Sequence, residues 1–550
     1  MKQIGFKNFR RFENFPSISL GDVTYLVGQN NAGKSTMVKA AILILENLCH
    51  KSVTPFGNEA YFSFVSSVHD LHVETFARAL RRNSEEKKIH FTASLSDFDF
   101  EITVVPADDE VLYSHIQKEN DRNAPIDYFL VRDNKLGVTL EIYPFVNKYV
   151  LTISGDSDIA DNQTDTLIAD INQRLSALRT AKENVSDIKE QVSINNEIDA
   201  LEKKLVILAK KKQVSNDEQL LFNSLHLAYP SGSEAMFSIA REVSALAYMA
   251  GYDDALKQSR LSSLTLGLSE FEKKQQGQYL SKMRKHANAL NRMAVRLNAV
   301  LYSIDVMYIQ AHLASQDMVL NAHSNDVFAK EVDVYEHKTK IFDRDKSIYR
   351  FVQKWMDSDH FNIGKGFEVE EKLPGYYTLT IDTYENGPVP VGDMGMGTNQ
   401  LMILLLHIAN EMFNVKSKPP KPVGLGITGA WSTPLVFIEE PEQNLHPNLQ
   451  SKLAEFFYEL ATSKNHPIRF IVETHSEYII RKSQNLVANE KYKGEADLLN
   501  NPQRVFFFPH NEAPYDMEYQ TNGLFNQKFE SGFFDEAGNA AIQLMSLGMS

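Results

Sequence analysis

Near the start of this 550-residue chain, Gly28-Gln29-Asn30-Asn31-Ala32-Gly33-Lys34-Ser35-Thr36 fits the spacing G-x-x-x-x-G-K-[ST]. Glycines at these positions let successive backbone N–H groups wrap an anion, and a helix opening at the second glycine adds its positive end. A lysine in that place reaches the outer phosphates, and the hydroxyl beside it can ligate Mg²⁺. The chemistry is that of a nucleoside triphosphate cradle built from Gly28, Asn30, Asn31, Ala32, Gly33, Lys34, Ser35 and Thr36, with Ser35 as a metal ligand and ATP with Mg²⁺ as the expected occupants.

Three further stretches carry groups that could work on such a ligand. Leu435-Val436-Phe437-Ile438-Glu439-Glu440-Pro441-Glu442 is an apolar run delivering carboxylates at its end. Phosphoryl transfer needs one acid near the metal and one orienting the attacking water. Glu439, where an aspartate is more usual, is expected near Mg²⁺; acids after a strand are otherwise a solvated helix start. Phe470-Ile471-Val472-Glu473-Thr474-His475 ends in a histidine that can sense a γ-phosphate if its strand lies in the same sheet, and that otherwise caps or packs. Gly392-Asp393-Met394-Gly395-Met396-Gly397-Thr398 is a glycine-rich turn entering a helix, a second anion site or a plain helix cap.

These groups must be held by an α/β framework. Val23–Val27 reads as a strand before Gly28 and a helix follows from about Lys34, with Val38, Ala41, Ile42 and Leu45 on one face. His90–Leu95, Phe98–Val105, Ile126–Val131, Leu136–Tyr143 and Tyr149–Ser154 alternate like an antiparallel sheet. The runs Leu435–Ile438 and Phe470–Val472 flank a helical stretch in the βαβ manner of a parallel sheet buried on both faces. Between the two halves, Ile168, Ile171, Leu175 and Leu178, then Ile194, Ile198, Leu201, Leu205 and Leu208, repeat at 3-4 spacing, as in a short coiled-coil hairpin or an ordinary helical arm. The expected organisation is residues 1–160 as an N-terminal lobe with the phosphate loop and the antiparallel sheet. Residues 161–303 form an inserted helical region, with a coiled-coil hairpin over about 164–212 and a basic helix over about 273–301. Residues 304–550 form a C-terminal lobe.

Composition narrows the class. Hydrophobic residues at 43% and charged residues at 23% describe a folded chain, and 550 residues exceed what one core supports. The single cysteine, Cys49, excludes a disulfide framework and argues against structural zinc. The most apolar stretch, Leu401–Ala409, is too short for the roughly 20 residues that span a bilayer, so a cytoplasmic protein without membrane contact is expected. The net charge of −14 argues against a uniformly polyanion-binding surface. One segment stands apart: Lys273, Lys274, Lys282, Arg284, Lys285, Arg292 and Arg296 fall in a stretch without an acid, opposite an apolar face of Leu280, Met283, Ala287, Leu290, Ala294, Leu297 and Leu301. Such a helix either neutralises nucleic-acid phosphates or is a cationic face that pairs with acidic neighbours.

The order of these motifs resembles the ABC-type ATPase heads of the RecF, SMC and overcoming-lysogenization-defect group. The motifs are the phosphate loop, the glycine turn before a long helix, Ile438-Glu439-Glu440-Pro441-Glu442 followed by Asn444-Leu445-His446-Pro447, and Thr474-His475. The resemblance implies a P-loop head with a parallel core sheet, an N-terminal antiparallel sheet and an inserted helical arm. It implies Glu440 as catalytic base, His475 as switch histidine, Gly395 and Gly397 as the signature turn, and a homodimer sandwiching two ATP molecules. The signature serine has no obvious counterpart; Thr398 is the nearest hydroxyl. Nucleases of this group append a Toprim domain, for which the 75 residues after His475 are too few, so the chain is expected not to be a nuclease itself.

Tyr308-Ile309-Gln310-Ala311-His312-Leu313-Ala314-Ser315-Gln316 and Gly532-Phe533-Phe534-Asp535-Glu536-Ala537 are similar to the ATPase subunit of Septu-type antiphage systems, including retron-linked ones. That resemblance implies a slow ATPase that controls a separate HNH nuclease, with reverse transcriptase and RNA–DNA as further partners in the retron-linked versions. The alternatives are a RecF- or SMC-like DNA repair ATPase acting directly on DNA, and a nucleotide-gated scaffold with little turnover.

Overall fold

The computed structural model describes residues 1–49, 52–53, 61–66, 71–106, 122–143, 148–153, 218–223, 236–237, 304–311, 317–324, 326–341, 346–417, 433–464, 467–510, 512–530 and 533–534, parts of 286–301, and a few single positions. Two sheets organise them. The first is antiparallel, with strand order Glu218–Asn223, Lys148–Ile153, Val138–Tyr143, Asn123–Asp133, Phe98–Val104, Ile89–Leu95, Gln3–Phe9, Phe12–Ser19, and with Tyr61–Ser63 paired to Asn123–Asp133. The alternating runs between residues 89 and 154 all lie in it. Glu218–Asn223 falls within the range expected to be helical; it is instead an edge strand on Lys148–Ile153. Its reason is tertiary, because a short segment with Leu220, Leu221 and Phe222 at its centre becomes a strand when an open edge is offered to it.

The second sheet has the order Ile304–Ile309, Thr433–Glu439, Arg469–Thr474, Val23–Gly28, Gln503–Phe508, Tyr515–Asp516. Its first five strands are parallel and the last is antiparallel. Alternate side chains enter two different cores, so each strand reads as continuously apolar. Leu26, Tyr308, Phe437, Ile471 and Phe506 face the helix Lys34–Cys49 and, beyond it, the antiparallel sheet. Tyr25, Val27, Met307, Ile309, Val436, Ile438 and Val472 face the helices Met396–Ser417, Pro447–Ala461 and Glu477–Glu490.

Helix Met396–Ser417 is buried almost all round over Leu401–Ala409, which is why it shows little amphipathic pattern. His407 anchors it, its Nδ1 lying 2.7 Å from Oε1 of Glu331 on helix Val327–Ile341. Asn410 Nδ2 donates to the Glu331 carboxylate and carbonyl, and Lys338 Nζ donates to the Asn410 carbonyl. Burial opposes charge on His407, but Glu331 and then Glu411 outweigh it and raise the imidazole above its ordinary 6.5. Burial likewise opposes ionisation of Glu331, and His407 more than offsets it, holding the carboxyl below 4.5.

A raised histidine stabilises the fold fully below 6.5 and loses that contribution as pH climbs through its elevated value. A depressed glutamate does so above 4.5 and loses it as pH falls through its lowered value. The pair is therefore strongest between about pH 4.5 and 6.5. Glu331→Ala should cost about 3 kcal/mol near pH 5.5, as expected for breaking a buried pair, and less at pH 8.5. Urea unfolding at the two values checks this, and a loss that grows with pH would contradict it.

Candidate active site

The phosphate loop occupies the carboxyl end of strand Val23–Gly28 and opens helix Lys34–Cys49. Asn31 and Gly33 take left-handed backbones, φ 61° and 109°, which curl the loop so that its amides converge. A Cβ on Gly33 would stand 2.4 Å from the ring of Phe12, so the glycine is also demanded by the hairpin packed behind the loop. Lys34, 3% exposed, donates from Nζ to the carbonyls of Gly28 (3.0 Å) and Gln29 (3.1 Å) and lies 3.8 Å from Oε1 of Glu473. Burial pulls its pKa below the usual lysine value, while Glu473, Glu440 and Glu442 pull the other way. Ser35 Oγ donates to Glu473 Oε1 at 3.0 Å.

Parallel register sets the acidic residues opposite this loop. Glu439 pairs with Glu473, and Thr474 with Val27, so these strand ends form one edge. Glu440 then leaves the strand with a left-handed backbone, φ 43°, while its N–H still donates to the Glu473 carbonyl at 2.8 Å. A non-glycine residue in this region carries strain of order 1–3 kcal/mol. The turn aims its carboxylate sideways, where Gln443 Nε2 donates to Oε2 and His475 Nε2 lies 3.7 Å from Oε1. Glu442, buried and pushed up by that burial, accepts the His475 backbone N–H at 2.7 Å and fixes the histidine turn. Burial and then Lys34 push His475 down, with Glu440 opposing, so the imidazole is neutral at pH 7. Glu473 is raised to about 7, chiefly by burial.

A family model for the AAA ATPase domain matches residues 1–480 of the chain. The chain belongs to the AAA ATPase domain family. No curated protein sequence matches it. Solved structures similar to this ATPase include the Smc head domain with an extended coiled coil bound to the C-terminal domain of ScpA, from Pyrococcus furiosus, at 11% identity and TM-score 0.31 over 100% of this chain and 99% of that chain. Others are the Smc head domain with a coiled coil and joint from Pyrococcus yayanosii (10%, 0.32, 95% and 97%) and the SMC head domain from Thermotoga maritima (12%, 0.29, 94% and 98%).

An ATPase of this kind takes a magnesium ion with its nucleotide, and the residues fit one. Glu439 Oε1 and Glu473 Oε2 are buried without a protein hydrogen-bond partner, beside the Ser35 hydroxyl. Hard oxygen donors of this type suit Mg²⁺. Ligand atoms of Glu440, Glu473 and His475 also lie within 4.8 Å of one another. Glu473 was not singled out in the sequence; its signal was a carboxylate near the end of a buried strand, legible only once that strand is known to adjoin the phosphate loop.

The cavity at the loop, about 700 Å³, is walled by Arg10, Arg11, Lys39, Arg78, Arg81 and Arg82 as well as Lys34, Ser35 and Thr36. These arginines escaped the motif reading because three backbone contacts create the wall: the bridge Phe9–Leu80, Arg10 N–H to Ala79 O (2.6 Å) and Arg81 N–H to Asn8 O (2.9 Å). Gly395 and Gly397 lie at the start of helix Met396–Ser417 and do not line this cavity. A Cβ on Gly397 would stand 2.5 Å from the Asn444 carbonyl, which ties the turn to the loop after Glu440.

Of the basic helix, Lys273, Lys274, Lys282, Arg284 and Lys285 lie outside the described residues, as does nearly all of the 164–212 hairpin. Arg292 is exposed, and Leu290, Met293, Ala294, Leu297 and Leu301 are buried. Arg296 is committed to Asp133 (2.8 Å) and Asp97 (3.1 Å), the ion-paired alternative at that position. Among the described residues no helix is long and apolar enough to cross a membrane.

Lys34→Ala removes the buried cation facing the cavity and should weaken ATP binding at least about a hundredfold, the scale of a charge-assisted contact. Equilibrium binding of a fluorescent ATP analogue measures it; retained affinity would remove the loop from nucleotide binding.

Proposed function

We propose that this ATPase works as an ABC-type head that closes as a homodimer around ATP, hydrolyses it slowly and thereby controls a separate HNH nuclease in antiphage defence. The observation that carries the hydrolytic part is the single sheet edge on which Lys34, Ser35, Glu439, Glu440 and His475 are gathered. Glu440 is the general base. Its carboxylate is turned out of the strand and held by Gln443, in a place to accept a proton from an attacking water. Neutral His475, its turn pinned by Glu442, hydrogen-bonds the reacting group.

Ser35, Glu439 and Glu473 would hold Mg²⁺, which supplies charge neutralisation on the phosphates when bound. The arginine wall receives the nucleoside and inner phosphate. Gly395 and Gly397, outside this cavity, are the surface offered to the partner's nucleotide.

The defence role and the HNH partner, with reverse transcriptase and RNA–DNA in a retron-linked assembly, rest on the likeness of Tyr308–Gln316 and Gly532–Ala537 to Septu-type subunits, and a cytoplasmic setting goes with it. Arg292 and the lysines and arginines of 273–285 are the proposed nucleic-acid contact.

Glu440→Gln should retain ATP affinity, lose turnover at least about a hundredfold and accumulate as a dimer in ATP, read by phosphate release and light scattering; unchanged turnover would move the base elsewhere. In cells, Lys34→Ala should abolish protection against phage. Normal protection, or sensitivity to DNA damage without a phage phenotype, would favour a repair ATPase instead.

A further inference from the structure

Tyr308 is the next-to-last residue of the edge strand of the parallel sheet, yet it is only 3% exposed. In the parallel register it sits beside Phe437, and Glu439 follows Phe437 by two residues, so all three side chains leave the sheet on the same face. That face lies under helix Lys34–Cys49, where Tyr308, Phe437 and Ile471 share one core. From this position the Tyr308 phenol donates to the Glu439 carboxylate. The other carboxylate oxygen of Glu439, Oε1, is buried with no protein partner. Glu473, the register partner of Glu439, accepts from the Ser35 hydroxyl at 3.0 Å.

A glutamate has one more rotatable bond than the aspartate common at this place, and fixing it costs rotamer entropy. A hydrogen bond to a charged acceptor is stronger than one between neutral groups, enough to select one rotamer. We propose that Tyr308 is a positioning residue for the nucleotide-bound divalent cation: it clamps one oxygen of Glu439 from the edge strand, so that the other faces Ser35. This rests on the reading of Ser35 and Glu439 as cation ligands.

The test is nucleotide affinity as a function of free Mg²⁺, measured with a fluorescent ATP analogue on the full chain, with EDTA as the metal-free limit. Tyr308→Phe keeps the ring and removes only the hydroxyl. It should raise the Mg²⁺ concentration for half-maximal affinity about tenfold and leave the EDTA value unchanged. Glu439→Gln should raise it at least as much, and the double variant little further, because the two residues act as one unit. Phe437→Leu, a packing change on the same face, should leave the Mg²⁺ curve in place. A wild-type curve for Tyr308→Phe, fully multiplicative losses in the double variant, or an equal shift in Phe437→Leu would each overturn the inference. A wild-type protein whose affinity ignores Mg²⁺ would overturn the cation-ligand reading beneath it as well.

Discussion

The site exists because four parallel strands stop in register. A parallel ladder aligns the carboxyl ends of its strands, and ligands of open α/β sheets gather at that edge. Here Ile309 lies against Ile438, Glu439 against Glu473, and Thr474 against Val27. The same alternation that sends Leu26, Phe437 and Ile471 under the helix Lys34–Cys49 places Glu439 and Glu473 beneath the start of that helix. Slipping either acidic strand by a residue would exchange its carboxylate with an apolar side chain from the other core.

That alignment gathers Glu439, Glu440, Glu442 and Glu473 about one lysine and one neutral histidine. Burying like charges together is costly unless cations or protons compensate. The fold answers partly with backbone donors, as at Glu442, partly with hydroxyls from Ser35 and Tyr308, and partly by raising the pKa of Glu473 to about 7. The remaining imbalance is an electrostatic preference for a hard cation, so chemistry and packing point to the same occupant.

Local pattern made much of this legible. The phosphate loop is recognisable because its glycines and lysine answer to one another within nine residues, and the acidic and histidine strands because each is a short, fully apolar run. What was not legible depends on which distant strands meet. Glu473 acquires meaning only beside residue 27, and Tyr308 only beside Phe437. The wall of Arg10, Arg11, Arg78, Arg81 and Arg82 needs the hairpin tip at Phe9 to bridge Leu80. Arg296, read as part of a cationic face, is turned inward by Asp133, a fully buried carboxylate on a strand far away in the chain. The long helix Met396–Ser417 does follow the glycine-rich turn Gly392–Thr398, because apolar runs and a glycine start are local properties.

The sheet order has a consequence for how the chain is made. Strand Val23–Gly28 leaves the ribosome more than 400 residues ahead of its two neighbours, Arg469–Thr474 and Gln503–Phe508. At the usual pace of roughly 5–20 residues per second, the loop waits on the order of half a minute to a minute and a half for the strands that give it shape. Until then the strand that carries the loop lacks both of its sheet neighbours. The edge that gathers Lys34, Glu439 and Glu473 is therefore assembled late in synthesis, when the chain ends of the sheet meet.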